Sequence, residues 1–192
     1  MDINGLKQLA RQVPEEILWL KQFIRYKART IVEIGSKEGG SLAHWIDLKP
    51  NVLISIEPRD MPYWDILTIA ARENGVSLAK IEGKSQDEET LNRLHYLVGD
   101  IDFLFIDGDH TYESIWEDVG LYWPRMLNGG YMAIHDIASG TAVTKGRSMG
   151  VQRVWEEIKQ THTYWECVSR DPSPYPWPLG IGVIKCVKHI RG

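Results

Sequence analysis

Two short runs hold most of the acids and imidazoles that could do chemistry. Ile106-Asp107-Gly108-Asp109-His110 and, about 25 residues later, Ile134-His135-Asp136 each follow a very apolar stretch. Carboxylates that meet at the ends of neighbouring strands repel unless a proton or a cation lies between them. A hard divalent ion with oxygen ligands and retained waters resolves that repulsion, and Asp107 and Asp136 are the best candidate ligands. Asp109 has a plainer role open to it, accepting hydrogen bonds from amides of its own loop. His110 could take a proton from a substrate hydroxyl whose pKa the metal has lowered, or serve as a structural imidazole. His135 suits magnesium poorly, so it either points away in a supporting role or the metal is a softer one.

A second group of residues has the makings of a nucleotide cradle. Glu33-Ile34-Gly35-Ser36-Lys37-Glu38-Gly39-Gly40-Ser41 lies between a buried strand and a helix. Glycine lets the backbone turn sharply and approach a ligand, and the helix start offers free N–H groups. The Gly35-x-x-x-Gly39 spacing is neither the Gly-x-Gly-x-x-Gly of dinucleotide sites nor a phosphate loop. Taken alone, a plain strand-to-helix turn explains it as well. Glu33 could accept from an ammonium group or from loop amides. Glu57, 22 positions after Gly35 and at the exit of the next strand, is placed to accept from both hydroxyls of a ribose. The alternative for it is a solvated loop acid. Ser85, at the third strand end, could bracket an adenine or cap the following helix.

The elements that must position these groups alternate. Pro14-Glu15-Glu16, then Ile17, Leu20, Phe23 and Ile24, predict an amphipathic helix with its charges matched to the helix dipole. Strands are expected over 30–34, 51–56, 77–81, 102–106 and 131–134. Helices are expected through Leu42 to Ile46 and over 63–73, 87–98 and 112–127, and a further one with Val151, Val154, Trp155 and Ile158. Asn128-Gly129-Gly130 reads as a turn, and 164–168 and 181–187 as two last strands around a proline-rich loop, 171–179. This is an α/β pattern: a mainly parallel sheet with helices on both faces and an antiparallel C-terminal strand pair at its edge. In such open sheets a ligand sits at the carboxyl ends of the strands, where Gly35, Glu57, Gly83, Asp107 and Asp136 each end a predicted strand.

Composition narrows the classes. The 192 residues suit a single domain, 1–192, with an N-terminal helical segment at 1–28. Lys and Arg number 22 against 26 Asp and Glu, a net charge of −4 with no basic block, which gives no reason to expect nucleic acid. No apolar run approaches the roughly 18 residues of a membrane span, and the start lacks a signal-peptide layout. Cys167 and Cys186 lack Cys-x-x-Cys spacing, which argues against a zinc finger or a disulfide framework and for a reduced, cytoplasmic protein. The two thiols could face each other on the neighbouring C-terminal strands.

The string IDFLFIDGDHTYESIWEDVGLYWPRMLNGGYMAIHDI, Ile101 to Ile137, resembles the Class I S-adenosylmethionine-dependent methyltransferases. More narrowly it resembles their metal-dependent small-molecule and sugar O-methyltransferase branch, which includes macrolide-sugar methyltransferases and proteins labelled cephalosporin hydroxylase. VEIGSKEGGS at 32–41 is similar to that family's first cofactor motif, and GVQRVWEEIK at 150–159 to its later helix. The likeness spans most of 15–187. It implies a Rossmann-like seven-stranded sheet and two cofactors, S-adenosylmethionine and Mg2+ or another divalent cation. It implies Glu33, Gly35 and Ser41, with Ser36 and Gly39 of the same loop, at the methionine moiety, Glu57 at the ribose and Ser85 at the adenine. Asp107, touching both cofactors, and Asp136 would bind the metal, with His110 as the base. One departure matters: several relatives carry a carboxylate where this chain has His135, the least secure of the metal-ligand candidates. The partner implied is a small hydroxylated acceptor, and homo-oligomers are common among relatives.

The segments 138–150 and 171–179, the latter with Tyr175 and Trp177, border the acceptor pocket or are packed loops. Two other readings use the same residues. His110, His135 and one carboxylate are the donor types of a non-haem iron oxygenase, which would leave the glycine loop idle. A non-catalytic scaffold could keep the cofactor fold, but core packing alone would not require acids in the loops.

Overall fold

Runs of apolar residues, most of them too continuous to leave either face in water, set the architecture. In the computed structural model, which describes residues 1–138, 143–144, 147–148, 150–170, 175 and 177–188, these become parallel strands of one sheet. They are β1 (Thr30–Ile34), β2 (Val52–Ile56), β3 (Ser77–Ile81), β4 (Ile101–Ile106) and β5 (Met126–His135). Two more, β8 (Tyr164–Cys167) and β9 (Ile181–Lys185), complete a seven-stranded sheet of order β3-β2-β1-β4-β5-β9-β8. β9 runs antiparallel to both β5 and β8, as the sequence predicts. A two-stranded hairpin, β6 (Val143–Thr144) with β7 (Arg147–Ser148), lies within the segment expected to be a loop.

Because successive strand side chains point to opposite faces, each strand feeds two cores. Val32, Ile54, Leu104 and Met132 pack with α5 (Glu88–Leu97), α6 (Tyr112–Tyr122) and α7 (Val151–Ile158). Ile31, Leu53, Phe103, Phe105 and Ala133 pack with α1 (Ile3–Lys7), α2 (Pro14–Ile24), α3 (Gly40–Ile46) and α4 (Trp64–Glu73). Among the described residues no helix is long and apolar enough to cross a membrane.

The register aligns the strand ends. Ile34 pairs with both Ile56 and Ile106, Ile56 with Ile81, and Ile106 with Ile134. The residues one step beyond this row of isoleucines are Gly35, Glu57, Glu82, Asp107 and His135. Strand order reverses between β1 and β4, so Gly35 and Asp107 flank the crevice where open α/β sheets bind ligands.

Three expectations are corrected. The helix read over 112–127 ends at Tyr122, because Pro124 has no N–H to continue it, and Trp123–Arg125 form one 3-10 turn. Asn128-Gly129-Gly130 is an irregularity inside β5 and not a turn between elements. The pairing jumps from Ile101↔Met126 to Phe103↔Tyr131, Gly129 takes a φ of 89°, and its N–H donates to the Cys186 carbonyl at 2.7 Å. The cysteines are both free but do not face each other. Cys167 pairs with Ile181 at one end of the β8–β9 ladder, whereas Cys186 lies beyond the other end, its thiol pushed up to about 12 by burial.

Candidate active site

The strand exits open into a cavity of about 1060 Å3 whose wall includes Gly35, Glu57, Ser85, Asp107, His110 and Asp136. Gly35 is required at its place: φ is 87°, and a Cβ there would lie 2.2 Å from the Asp107 carbonyl oxygen. The chain after β1 therefore packs directly on the chain after β4. Glu57 is fully buried and oriented by donors on two sides. The Lys37 N–H donates to it at 2.8 Å, and Arg59 donates through its backbone N–H at 3.1 Å and its Nε at 2.8 Å. Ser85 is buried, and its carbonyl accepts from the Tyr122 hydroxyl at 2.9 Å. Beside it Gln86 donates to Asp118 at 2.6 Å, and burial pushes the Asp118 carboxyl up to about 7 against that bond.

Glu33 accepts from the Ser41 hydroxyl and from the Trp45 indole, at 2.5 Å for the latter. It is not among the residues lining the cavity, and burial pushes its carboxyl up to about 8 despite both bonds. Glu33 thus ties the start of α3 to β1. Gly39 likewise stays off the wall: at φ 88° it caps α3, and a Cβ there would lie 2.6 Å from Leu67 Cδ1. Ser36 and Ser41 border a smaller adjoining cavity.

At the other end four side chains interlock. Carboxylates only accept, so the imidazoles donate. His110 gives Nε2–H to Asp107 Oδ1 at 3.1 Å and Nδ1–H to Asp136 Oδ2 at 2.8 Å. His135 gives Nδ1–H to the same Asp107 oxygen at 3.1 Å and lies 3.5 Å from Asp136 Oδ1. Burial alone would raise the Asp107 carboxyl, but the charge of His135 and the bonds from both imidazoles hold it well below the usual range. Burial would lower His110, yet its bonds to the two carboxylates push it up to about 10. His135 is raised as well, the charges of Asp107 and Asp136 outweighing its burial. With a proton on each nitrogen, His110 has no lone pair to offer. Asp136 sits at φ 64°, in the left-handed region, a strain of about 1 kcal/mol for a residue with a Cβ. Asp109 accepts from the Thr111 N–H at 3.1 Å, the loop role expected for it.

Sequence reasoning missed the N-terminal contribution. Gln12, buried in the linker between α1 and α2, donates from Nε2 to Asp107 Oδ2 at 2.7 Å. Arg11 lines the cavity and reaches Glu38 at 3.2 Å. Glu16 accepts from the Ser169 and Gly180 N–H groups at 2.9 and 3.0 Å, tying α2 to the two flanks of the proline-rich loop. No local pattern marks Gln12 or Glu16, whose partners are 95 or more positions away. Tyr175 and Trp177 do border the cavity, their rings stacked at 5.6 Å between centroids. Of the two segments expected to frame an acceptor, 139–142, 145–146, 149, 171–174 and 176 lie outside the described residues.

A family model described as a methyltransferase domain matches residues 32–137, more than half of the chain. Among curated proteins, uncharacterised protein R132 of Acanthamoeba polyphaga mimivirus is 36% identical over 120 residues, 56% of this chain and 51% of its own length. The chain thus spans about half the length of that relative. Solved structures share the fold. An O-methyltransferase from Bacillus cereus in complex with S-adenosylhomocysteine aligns with a TM-score of 0.67 and 17% identity, covering 95% of this chain and 90% of that one. TomG of Streptomyces achromogenes, an O-methyltransferase of tomaymycin synthesis bound to S-adenosylmethionine, gives 0.68 and 17%, covering 97% and 89%. The mycinamycin-pathway methyltransferase MycE, in complex with Mg and S-adenosylhomocysteine, gives 0.57 and 16%, with 90% of this chain on 48% of that one.

Proposed function

The chain belongs to the methyltransferase-domain family, as a class I S-adenosylmethionine-dependent member, and on that premise we propose that it methylates a hydroxyl of a small molecule or sugar. The observation that carries this reading is the single cavity joining Gly35, Glu57 and Ser85 to the Asp107–His110–Asp136 cluster. The first three suit a nucleoside carrying an amino-acid tail: a close-approach glycine, a preset carboxylate for two ribose hydroxyls and a serine for the base. When bound, S-adenosylmethionine supplies a methyl group on a positively charged sulfur.

The chain's own part is alignment and proton handling. The Asp107 and Asp136 carboxylates flank the place where an acceptor oxygen would lose its proton, and His110 bridges them. Gly35, Glu57 and Ser85 would hold the donor so that its methyl group could pass to that oxygen, and the donor's sulfur would keep the electron pair of the carbon–sulfur bond as a thioether. The hydroxyl proton goes to His110 once that imidazole has given up one of its own.

The residues present fit a divalent cation by donor chemistry. Two carboxylates converge on one imidazole, and magnesium is commonly held by one or two carboxylates, with water and substrate oxygens completing its shell. Asp107 and Asp136 would be the protein ligands; among the described residues no group of three or more His, Cys, Asp or Glu is arranged to hold a metal. His135, bonded through Nδ1 to Asp107, would orient them. The cation would lower the pKa of the acceptor hydroxyl. A cytoplasmic setting belongs to the same proposal, supported by the free thiols of Cys167 and Cys186. So does an acceptor other than nucleic acid, supported by the net charge of −4.

Calorimetric titration with S-adenosylhomocysteine, followed by methyl transfer to a panel of hydroxylated acceptors, tests the reading. Binding in the micromolar range with turnover is expected, and absence of binding overturns it.

A further inference from the structure

We infer that Gln12 is a cofactor-binding residue, its side-chain carbonyl receiving the α-ammonium group at the amino-acid end of the methyl donor. The inference rests on the proposed function and adds to it a contact from outside the sheet. Gln12 is only 4% exposed, and its amide is fixed in orientation by the bond from Nε2 to Asp107 Oδ2 at 2.7 Å. Oε1 is then committed to the other side, where it is buried and meets no donor among the described residues. A buried carbonyl left without a donor forfeits the hydrogen bond it had in water, so a donor belongs at this point.

The surroundings say what kind of donor. Gln12 borders a small open cavity of about 10 Å3 whose wall includes Arg11, Gly35, Ser36, Ser41 and Asp107, room for one group the size of a water or an ammonium. Glu33, the acid the sequence offers for this task, is occupied by Ser41 and Trp45. A carbonyl oxygen beside the Asp107 carboxylate favours a positively charged group with several N–H donors and disfavours the carboxylate of the same amino acid. Gly40 shows that the linker is built tightly onto this loop, since a Cβ there would lie 2.2 Å from the Ala10 nitrogen.

The test pairs a protein change with a ligand change. Affinities of S-adenosylhomocysteine and its desamino analogue are measured by calorimetry on the unaltered protein and on Gln12→Met. The substitution is expected to weaken S-adenosylhomocysteine about tenfold or more while moving the desamino analogue by less than about twofold. Retained binding of the analogue also certifies that the variant is folded; if Gln12→Met does not fold, the smaller Gln12→Ala takes its place. On the unaltered protein alone, removal of the ammonium is expected to cost at least about tenfold. Equal weakening of both ligands, or equal affinity of the two for the unaltered protein, overturns the inference and leaves the proposed function standing. No binding of S-adenosylhomocysteine to the unaltered protein overturns both.

Discussion

Glu57 and Asp107 are both buried carboxylates one step beyond aligned isoleucines, yet their charges are met in opposite ways. Glu57 is held by the N–H groups of Lys37 and Arg59, which cannot titrate, and by one guanidinium. Asp107 is held by two imidazoles and a carboxamide, and Asp136 shares one of those imidazoles. The first arrangement presents an acceptor fixed in orientation, which is what recognition of a neutral ribose needs. The second can exchange its protons for a cation or give them up, which is what chemistry on a hydroxyl needs. The two ends of the cleft thus divide binding from reactivity.

Kinetics can break that division directly. Asp107→Asn keeps the shape but removes the charge that faces His110 and His135, and kcat/KM is expected to fall about 1000-fold or more. Glu57→Gln keeps the site's volume and loses one strong acceptor, with the cofactor KM rising about tenfold and kcat nearly unchanged. Steady-state kinetics with varied cofactor separates the two. If both substitutions act on the same parameter, the ends are not specialised.

The exchangeable end also predicts a pH dependence. His110 keeps its second proton up to about pH 10 in the folded protein, so a divalent cation taking its place must expel that proton at neutral pH. Magnesium affinity is therefore expected to rise by close to tenfold per pH unit, about 100-fold between pH 7 and pH 9, and to level off above 10. Titrations in buffers of different ionisation enthalpy count the released proton. A pH-independent affinity would show that cation and imidazolium do not compete.

The contrast between the two ends also follows what the sequence could reveal. Glu57 and Asp107 were legible because each ends an apolar strand-length run, and period and position suffice to put them at the mouth of a sheet. Their partners were not. Gln12 meets Asp107 across 95 positions, and Glu33 meets an indole on the next helix; neither leaves a local trace. Asp118 lies on α6, and only the fold buries it against Gln86. The misread helix end has the same origin. Trp123 to Leu127 continues an apolar helical spacing past Pro124, while the pairing of Met126 with Ile101 is a non-local fact. Strand exits are set by local pattern, and the charge state at those exits by contacts that cross the chain.

The smallest expected effect is the sharpest on how Glu57 is held. Arg59 makes an ion pair with Glu57, but its side chain is 64% exposed, where water and salt screen most of the attraction. If backbone amides fix the carboxylate, Arg59→Ala should change S-adenosylhomocysteine affinity by less than about threefold, and raising the salt concentration should matter as little. A larger loss, recovered by Arg59→Lys, would mean that a side-chain charge orients Glu57 after all. The nucleotide end would then be tunable like the other, and the difference between the two would be one of degree.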